Sequence, residues 1–301
     1  MTKSVLILGG SGRFGSNATR AFSASGWDVH QFDRDHDTLI TAAQGKDVIV
    51  AGWNPAYPDW ARQVPKLHAE IIRAAKTSGA TVIVPGNVYV FGPDAGMPWD
   101  EHTAHRATNP LGRLRIEMER AYRESGVQVI LLRAGDFLDT EASGNWFDRI
   151  ITKPLAKGRL TYPGRLDAPH SWAYLPDLAR AAVALAEKRH DLAQYEDVPF
   201  PGYTLSGAEM AQAISRATGQ TVRAKTMNWL PLRLAAPFWA MGRCLLEMRY
   251  LWNLPHALDG TRFNTLLPDF QPTPRDEALR MATAHTRITP AHISRSTQTS
   301  R

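Results

Sequence analysis

At 301 residues, with a hydrophobic fraction of 44% and a charged fraction of 21%, the chain is long enough to bury a sizeable core and too apolar to be a disordered polymer. The net charge is +6, but Arg287, Arg295 and Arg301 supply three of those charges in the last seventeen residues, and no basic run precedes them. A nucleic-acid partner is therefore not expected. Cys244 is the single cysteine, which excludes an internal disulfide and leaves no Cys/His cluster, so no metal is expected.

In chain order, Ser4–Leu8 is a continuous apolar run ending at Gly9, the pattern of a strand buried on both faces of a parallel sheet. A helix is expected over about Arg13–Ser25, then strands at Val29–Phe32, Asp47–Ala51 and Thr81–Val84, with a helix at Asp59–Thr77 between the last two. A helix at Leu111–Ser125 leads into a strand at Val127–Leu132. Strands alternating with helices predict an α/β fold, a Rossmann-type doubly wound parallel sheet. Beyond Ser143 the alternation weakens and prolines and aromatics become denser. The expected organisation is a dinucleotide-binding domain over 1–142, a smaller substrate lobe over 143–283 interleaved with returning sheet elements, and a disordered tail over 284–301. Ser206 and Glu209 have capping-box spacing for a helix over Ser206–Thr218.

No signal-peptide pattern opens the chain, which points to the cytoplasm. The apolar stretch Trp229–Leu246 is broken by Pro231, Arg233, Pro237 and Arg243. It reads as a buried or interfacial helix rather than a span, and no membrane partner is expected.

Gly9, Gly12 and Gly15 fall between the first strand and the first helix. That context makes them a pyrophosphate cradle: the first allows the turn, the second admits the ligand, the third lets helix and strand close. Arg13 and Phe14 at the helix mouth, and Ala51 and Gly52 at the end of the third strand, complete the candidate cofactor-binding set. Asp33 ends the second strand and can accept hydrogen bonds from ribose hydroxyls, which favours NAD. Arg34 and Arg13 keep NADP as the alternative, because either guanidinium can grip a 2′-phosphate.

The ordered motifs VLILGGSGRFG (5–15), KDVIVAG (46–52), VIVPGNVYVFG (82–92), LLRAGDF (131–137) and SWAYLPDLARA (171–181) resemble the extended and atypical short-chain dehydrogenase/reductases of the NAD-dependent epimerase/dehydratase type, over residues 4–280. The resemblance implies a catalytic Ser or Thr at the position of Asn87, and a Tyr-x-x-x-Lys pair at the positions of Leu111 and Arg115. In the family the tyrosine moves the carbonyl/alcohol proton, while the lysine lowers its pKa and holds the nicotinamide ribose. Leu111 cannot transfer a proton. Arg115 keeps the charge but does not deprotonate; it is the candidate ribose anchor. Tyr89 is the candidate replacement acid, with Asn87 as polarising donor. His102 and His105 are nearby titratable alternatives. Asp136, Asn145, Trp146, His170 and Trp172 are the substrate-side candidates, with Phe137 and Tyr174 beside them.

Two readings follow. One is an NAD(P)-dependent oxidoreductase or epimerase-like enzyme, acting on a small alcohol, carbonyl or sugar-like substrate. The other is a non-catalytic NAD(P)-binding sensor that regulates a protein. A homo-oligomer is compatible with either.

Overall fold

The structure is a computed structural model that describes residues 2–286. Arg287, Arg295, Arg301 and nearly all of the tail expected to be disordered lie outside the described residues. In chain order the elements are β1 (Ser4–Leu8), α1 (Arg13–Ala24), β2 (Asp28–Gln31), α2 (Leu39–Ala42), β3 (Val48–Ala51), α3 (Trp60–Ser78), β4 (Thr81–Gly86), α4 (Pro110–Arg123), β5 (Val129–Arg133), β6 (Asp136–Leu138), β7 (Arg159–Tyr162), β8 (Ser171–Tyr174), α5 (Leu175–Glu187) and β9 (Tyr195–Pro199). Six of these strands form one parallel sheet in the order β2-β1-β3-β4-β5-β9.

Apolar side chains of alternate parity feed the two faces of this sheet. Val5 and Ile7 pack with Phe14, Ala18 and Phe22 of α1 and Leu178 and Ala182 of α5. Leu6 and Leu8 pack with Val64 and Ile71 of α3 and Met118 and Tyr122 of α4. The strand order reverses beside β1, so the crevice at the carboxyl ends of β1 and β3 is where this architecture places a ligand. The segment between β2 and β3 contributes only the short α2 and no strand, which leaves β2 as an exposed edge.

The chain crosses into a smaller lobe at β6. There β10 (Tyr203–Thr204), β8 and β6 form a second sheet, and β7 pairs in parallel with β11 (Arg223–Thr226). Between β10 and β11, α6 (Gly207–Thr218) opens with both capping-box bonds of Ser206 and Glu209 in place. The lobe is packed by Phe147, Tyr162, Trp172, Trp229 and Trp252. The Trp229–Leu246 stretch is two helices rather than one, α7 (Leu230–Ala235) and α8 (Ala240–Glu247). Pro237 interrupts the ladder between them. Leu230, Leu234, Phe238 and Trp239 point outward, so of the two expectations, buried or interfacial, the buried one is corrected there. The short α9 (Thr261–Leu266) and α10 (Arg275–Thr283) follow. Among the described residues, no helix is long and apolar enough to cross a membrane.

Two buried histidines make stability pH-dependent. His68, on α3, meets the Tyr122 hydroxyl at 2.8 Å and is pushed down to about 3 by burial, with Arg115 adding repulsion. His256, stacked on Trp99, is likewise pushed down to about 3 by burial, with repulsion from His170. In the unfolded chain both regain an ordinary value near 6.5, so below that pH the unfolded state binds more protons and stability falls. The two together are expected to cost about 2.5 kcal/mol on going from pH 7 to pH 5.5. Urea unfolding at the two pH values measures it; an unchanged midpoint would place both imidazoles in water.

Candidate functional site

The glycine turn joins β1 to α1. Gly9 sits at φ +73°, and Gly12 N–H donates to its carbonyl at 2.8 Å. A Cβ on Gly15 would stand 2.0 Å from the Gly9 carbonyl oxygen, and one on Gly52 would stand 2.5 Å from that of Leu8. Those two glycines are required by close backbone packing. A Cβ on Gly12 would meet only the Gly9 oxygen at 3.1 Å and the Gly52 oxygen at 4.0 Å, so the space above Gly12 is open. Gly12 caps α1 without a side-chain bond, and the first turn holds no acid. The free N–H groups and the positive end of the helix dipole therefore face that space, the requirement for binding a diphosphate. Phe14 and Ala51 are buried behind it in the core.

At the end of β2, Asp33 presents a largely exposed carboxylate. It accepts from the Asp35 N–H at 3.0 Å and meets His36 Nδ1 at 2.7 Å, and these bonds hold it below the usual carboxylate range. The two neighbouring arginines have other partners. Arg34 lies 5.1 Å from the Trp53 ring, and Arg13 donates to the carbonyls of Ser143 and Gly144 at 3.0 and 2.5 Å. Arg13 thus ties the phosphate turn to the small lobe.

A cluster of polar groups gathers at the carboxyl ends of the next strands. Tyr57, in the turn after β3, and Tyr89, in the turn after β4, meet hydroxyl to hydroxyl at 2.5 Å. Asn87 caps the second turn, its Oδ1 accepting from Tyr89 N–H at 3.0 Å, and its carbonyl accepts from Arg133 at 2.7 Å. Arg115 extends from α4 over Trp60, 4.0 Å from the ring, and donates to Asn54 Oδ1 at 2.6 Å. Its Nε has no protein partner. Leu111 is buried, its N–H bonded to Glu247 of α8. Burial raises the pKa of both phenols, and the Asp136 carboxylate raises them further, against the opposing pull of Arg115.

Across this cluster, on β6, Asp136 pairs with His170 Nε2 at 2.7 Å. The imidazole of His170 is stacked on Trp252 at 4.4 Å and meets His256 edge-on at 4.4 Å. Trp146 packs against Trp229 and Trp252 at the lobe's edge. Asn145 is buried and caps the following turn by accepting from Asp148 N–H. Trp172 is fully buried, with its Nε1 bonded to the Leu205 carbonyl, so it fills the lobe core rather than walling an open pocket. Phe137 and Tyr174 also lie in packed regions of their respective cores. His102 is exposed, whereas His105 is pulled down to about 4, first by burial and then by Arg133. Both stand away from the phenol pair on the rim lined by Glu119 and Arg120.

Sequence reasoning missed Tyr57, Asn54, Trp60, Trp252 and His256. The signal for the first three was the segment GWNPAYPDW immediately after β3, because strand carboxyl ends carry the ligands in this architecture. Trp252 and His256 come from a region without periodicity and are brought in only by tertiary folding.

No family model matches the chain. An NAD(P)H azoreductase of Xenophilus azovorans is 27% identical over 250 residues, covering 73% of this chain and 75% of that protein. The solved structures include MoeE5 in complex with UDP-glucose and NAD, with a TM-score of 0.72 at 16% identity over 93% of this chain and 97% of that one. They also include a UDP-glucose 4-epimerase from Brucella ovis in complex with NAD, with a TM-score of 0.70 at 18% identity over 94% and 98% of the two chains. TunA, an NAD-dependent NDP-hexosamine 5,6-dehydratase, has a TM-score of 0.70 at 15% identity over 94% and 97%. The chain thus shares the fold of these solved structures.

Proposed function

We propose that this chain, built on the extended short-chain dehydrogenase/reductase fold, is an NAD(P)-dependent oxidoreductase that works as a reductase on a small molecule with an electrophilic double bond, a carbonyl or an azo group. The glycine turn, the amino end of α1 and Asp33 hold the dinucleotide, while Arg115, the candidate ribose anchor, is buried over Trp60 and bonded to Asn54. The reduced nicotinamide, when bound, supplies a hydride.

The observation that carries this reading is the Tyr57–Tyr89 hydroxyl pair, 2.5 Å apart beyond the carboxyl ends of β3 and β4, which burial holds in the neutral form. An alcohol oxidation needs a phenolate to take the hydroxyl proton. A phenol held neutral by burial cannot serve as that base at neutral pH, but it can give its proton to an oxygen or nitrogen that gains charge during reduction. The paired hydroxyls let one phenol pass its proton outward while the other replaces it, with Asp136 and His170 at the opposite wall. An epimerase or dehydratase cycle begins by oxidising the substrate, so this electrostatic arrangement favours the reductase over those relatives. The azoreductase likeness agrees in direction of chemistry.

The test is the double variant Tyr57→Phe/Tyr89→Phe. Carbonyl reduction with bound NADH is expected to slow by about 10²–10⁴-fold, the usual worth of a positioned proton donor, with cofactor affinity retained. An unchanged rate would remove the phenols from the mechanism, and faster alcohol oxidation than carbonyl reduction in the parent would reverse the assigned direction.

A further inference from the structure

We infer that the helical hairpin α7–α8 docks on an anionic lipid bilayer surface. Of the seven large apolar side chains exposed among the described residues, four lie in one ten-residue stretch: Leu230 (57% exposed), Leu234 (68%), Phe238 (94%) and Trp239 (46%). Leu230 and Leu234 stand one turn apart on the same face of α7. Phe238 stands at the corner where Pro237 breaks the helices, almost entirely in water. Scattered exposed hydrophobics need no explanation, whereas a contiguous group of this kind marks an interaction surface.

The charge around the group selects its partner. On the hairpin itself, residues 229–246 carry Arg233 and Arg243 and no aspartate or glutamate. Arg243 donates to the carbonyls of Ala236 and Pro237 at 3.2 and 3.1 Å, which fixes an exposed guanidinium beside Phe238. Arg233 is exposed on α7 itself. A second copy of the chain would bring these arginines against one another, so self-association works against the charge pattern. An aromatic and leucine wedge flanked by Arg233 and Arg243 is complementary to acyl chains beneath anionic headgroups. The absence of a spanning helix is no obstacle, because the hairpin lies in the interface rather than crossing it. Glu247, at the end of α8, accepts from the Leu111 N–H and the Asn109 side chain at 2.7 Å each, so the wedge is anchored to the amino end of α4.

The full chain is mixed with phosphatidylcholine vesicles, or with vesicles that also contain phosphatidylglycerol, and sedimented, while tryptophan emission is followed. Expected is about tenfold or greater preference for the anionic vesicles, the worth of one or two arginines near such a surface, with a blue shift of emission and weakening by salt. Phe238→Ser should lose both binding and shift at unchanged melting temperature, and Arg233→Gln/Arg243→Gln should lose the lipid preference. Equal binding to both vesicles, or none, overturns the inference. So does a concentration-dependent dimer that Phe238→Ser dissolves without any vesicle binding, since the occupant is then a second copy.

Discussion

Gly12→Val is expected to abolish dinucleotide binding while leaving the protein folded. The Cβ would be tight only against the Gly9 oxygen, at 3.1 Å, a contact relieved by a few tenths of an ångström. The two methyls beyond it would fill the open volume over the first turn of α1 and block the N–H groups from a diphosphate. A loss of at least a hundredfold in affinity, about 2.7 kcal/mol, is the expected result of calorimetric titration. Gly15→Ala is the contrasting control. Its Cβ would collide with the Gly9 carbonyl at 2.0 Å, so that variant should lose stability first. In the parent the same titration should rank NAD(H) about tenfold or more above NADP(H), because Asp33 would face a 2′-phosphate and Arg13 is bonded to the carbonyls of Ser143 and Gly144. A Gly12→Val protein that binds as the parent does would reduce the motif to an ordinary turn.

Arg133→Met is expected to be severely destabilising, by about 3–5 kcal/mol, the range for breaking a buried ionic network. The guanidinium is wholly buried. It donates to Glu119 at 2.8 Å and to Asp197 at 2.6 Å, joining β5 to α4 and β9. Removing it leaves two carboxylates in a medium that solvates them poorly. Glu119, Asp197 and His105 form a group spaced as cation ligands are, and in this protein the arginine supplies the positive charge between the two carboxylates. The same guanidinium bonds the Asn87 carbonyl, so the Tyr89 turn should loosen as well. Chemical denaturation measures the cost. The triple variant Arg133→Met/Glu119→Gln/Asp197→Asn should recover part of it, because no bare charge then remains. A cost below about 1 kcal/mol would put the network on a par with exposed ion pairs.

Much of the large sheet is legible in the sequence because its strands are short apolar runs buried on both faces, each followed by a turn residue. The glycine spacing and the capping box at Ser206 are local signals, and the backbone geometry that answers them is local too. Strand order is not local. Nothing in the spacing announces that the segment after Asp33 forms no strand and leaves β2 at the edge. The substrate-side aromatics were harder still: Trp172 and Trp146 belong to neighbouring parts of the chain, yet one fills the core and the other reaches the lobe's edge. Tyr57 lies 54 residues before Leu111, the family's tyrosine position, and no local spacing links the two. Tyr57 and Tyr89 come from loops after β3 and β4, which meet only once the sheet has formed. Whether the Trp229–Leu246 stretch is buried or interfacial was not legible either, since apolar spacing specifies a face but not what covers it.

The most direct test of the account is a single turnover. The protein is saturated with NADH and mixed with a panel of aldehydes, ketones and azo compounds, and the nicotinamide fluorescence is followed. The account predicts rapid loss of that fluorescence with at least one acceptor, with stoichiometric reduced product, and no such loss in the Gly12→Val or Tyr57→Phe/Tyr89→Phe proteins. NADH that stays bound and unoxidised across the whole panel would contradict it, and the chain would then be a nucleotide sensor rather than a reductase.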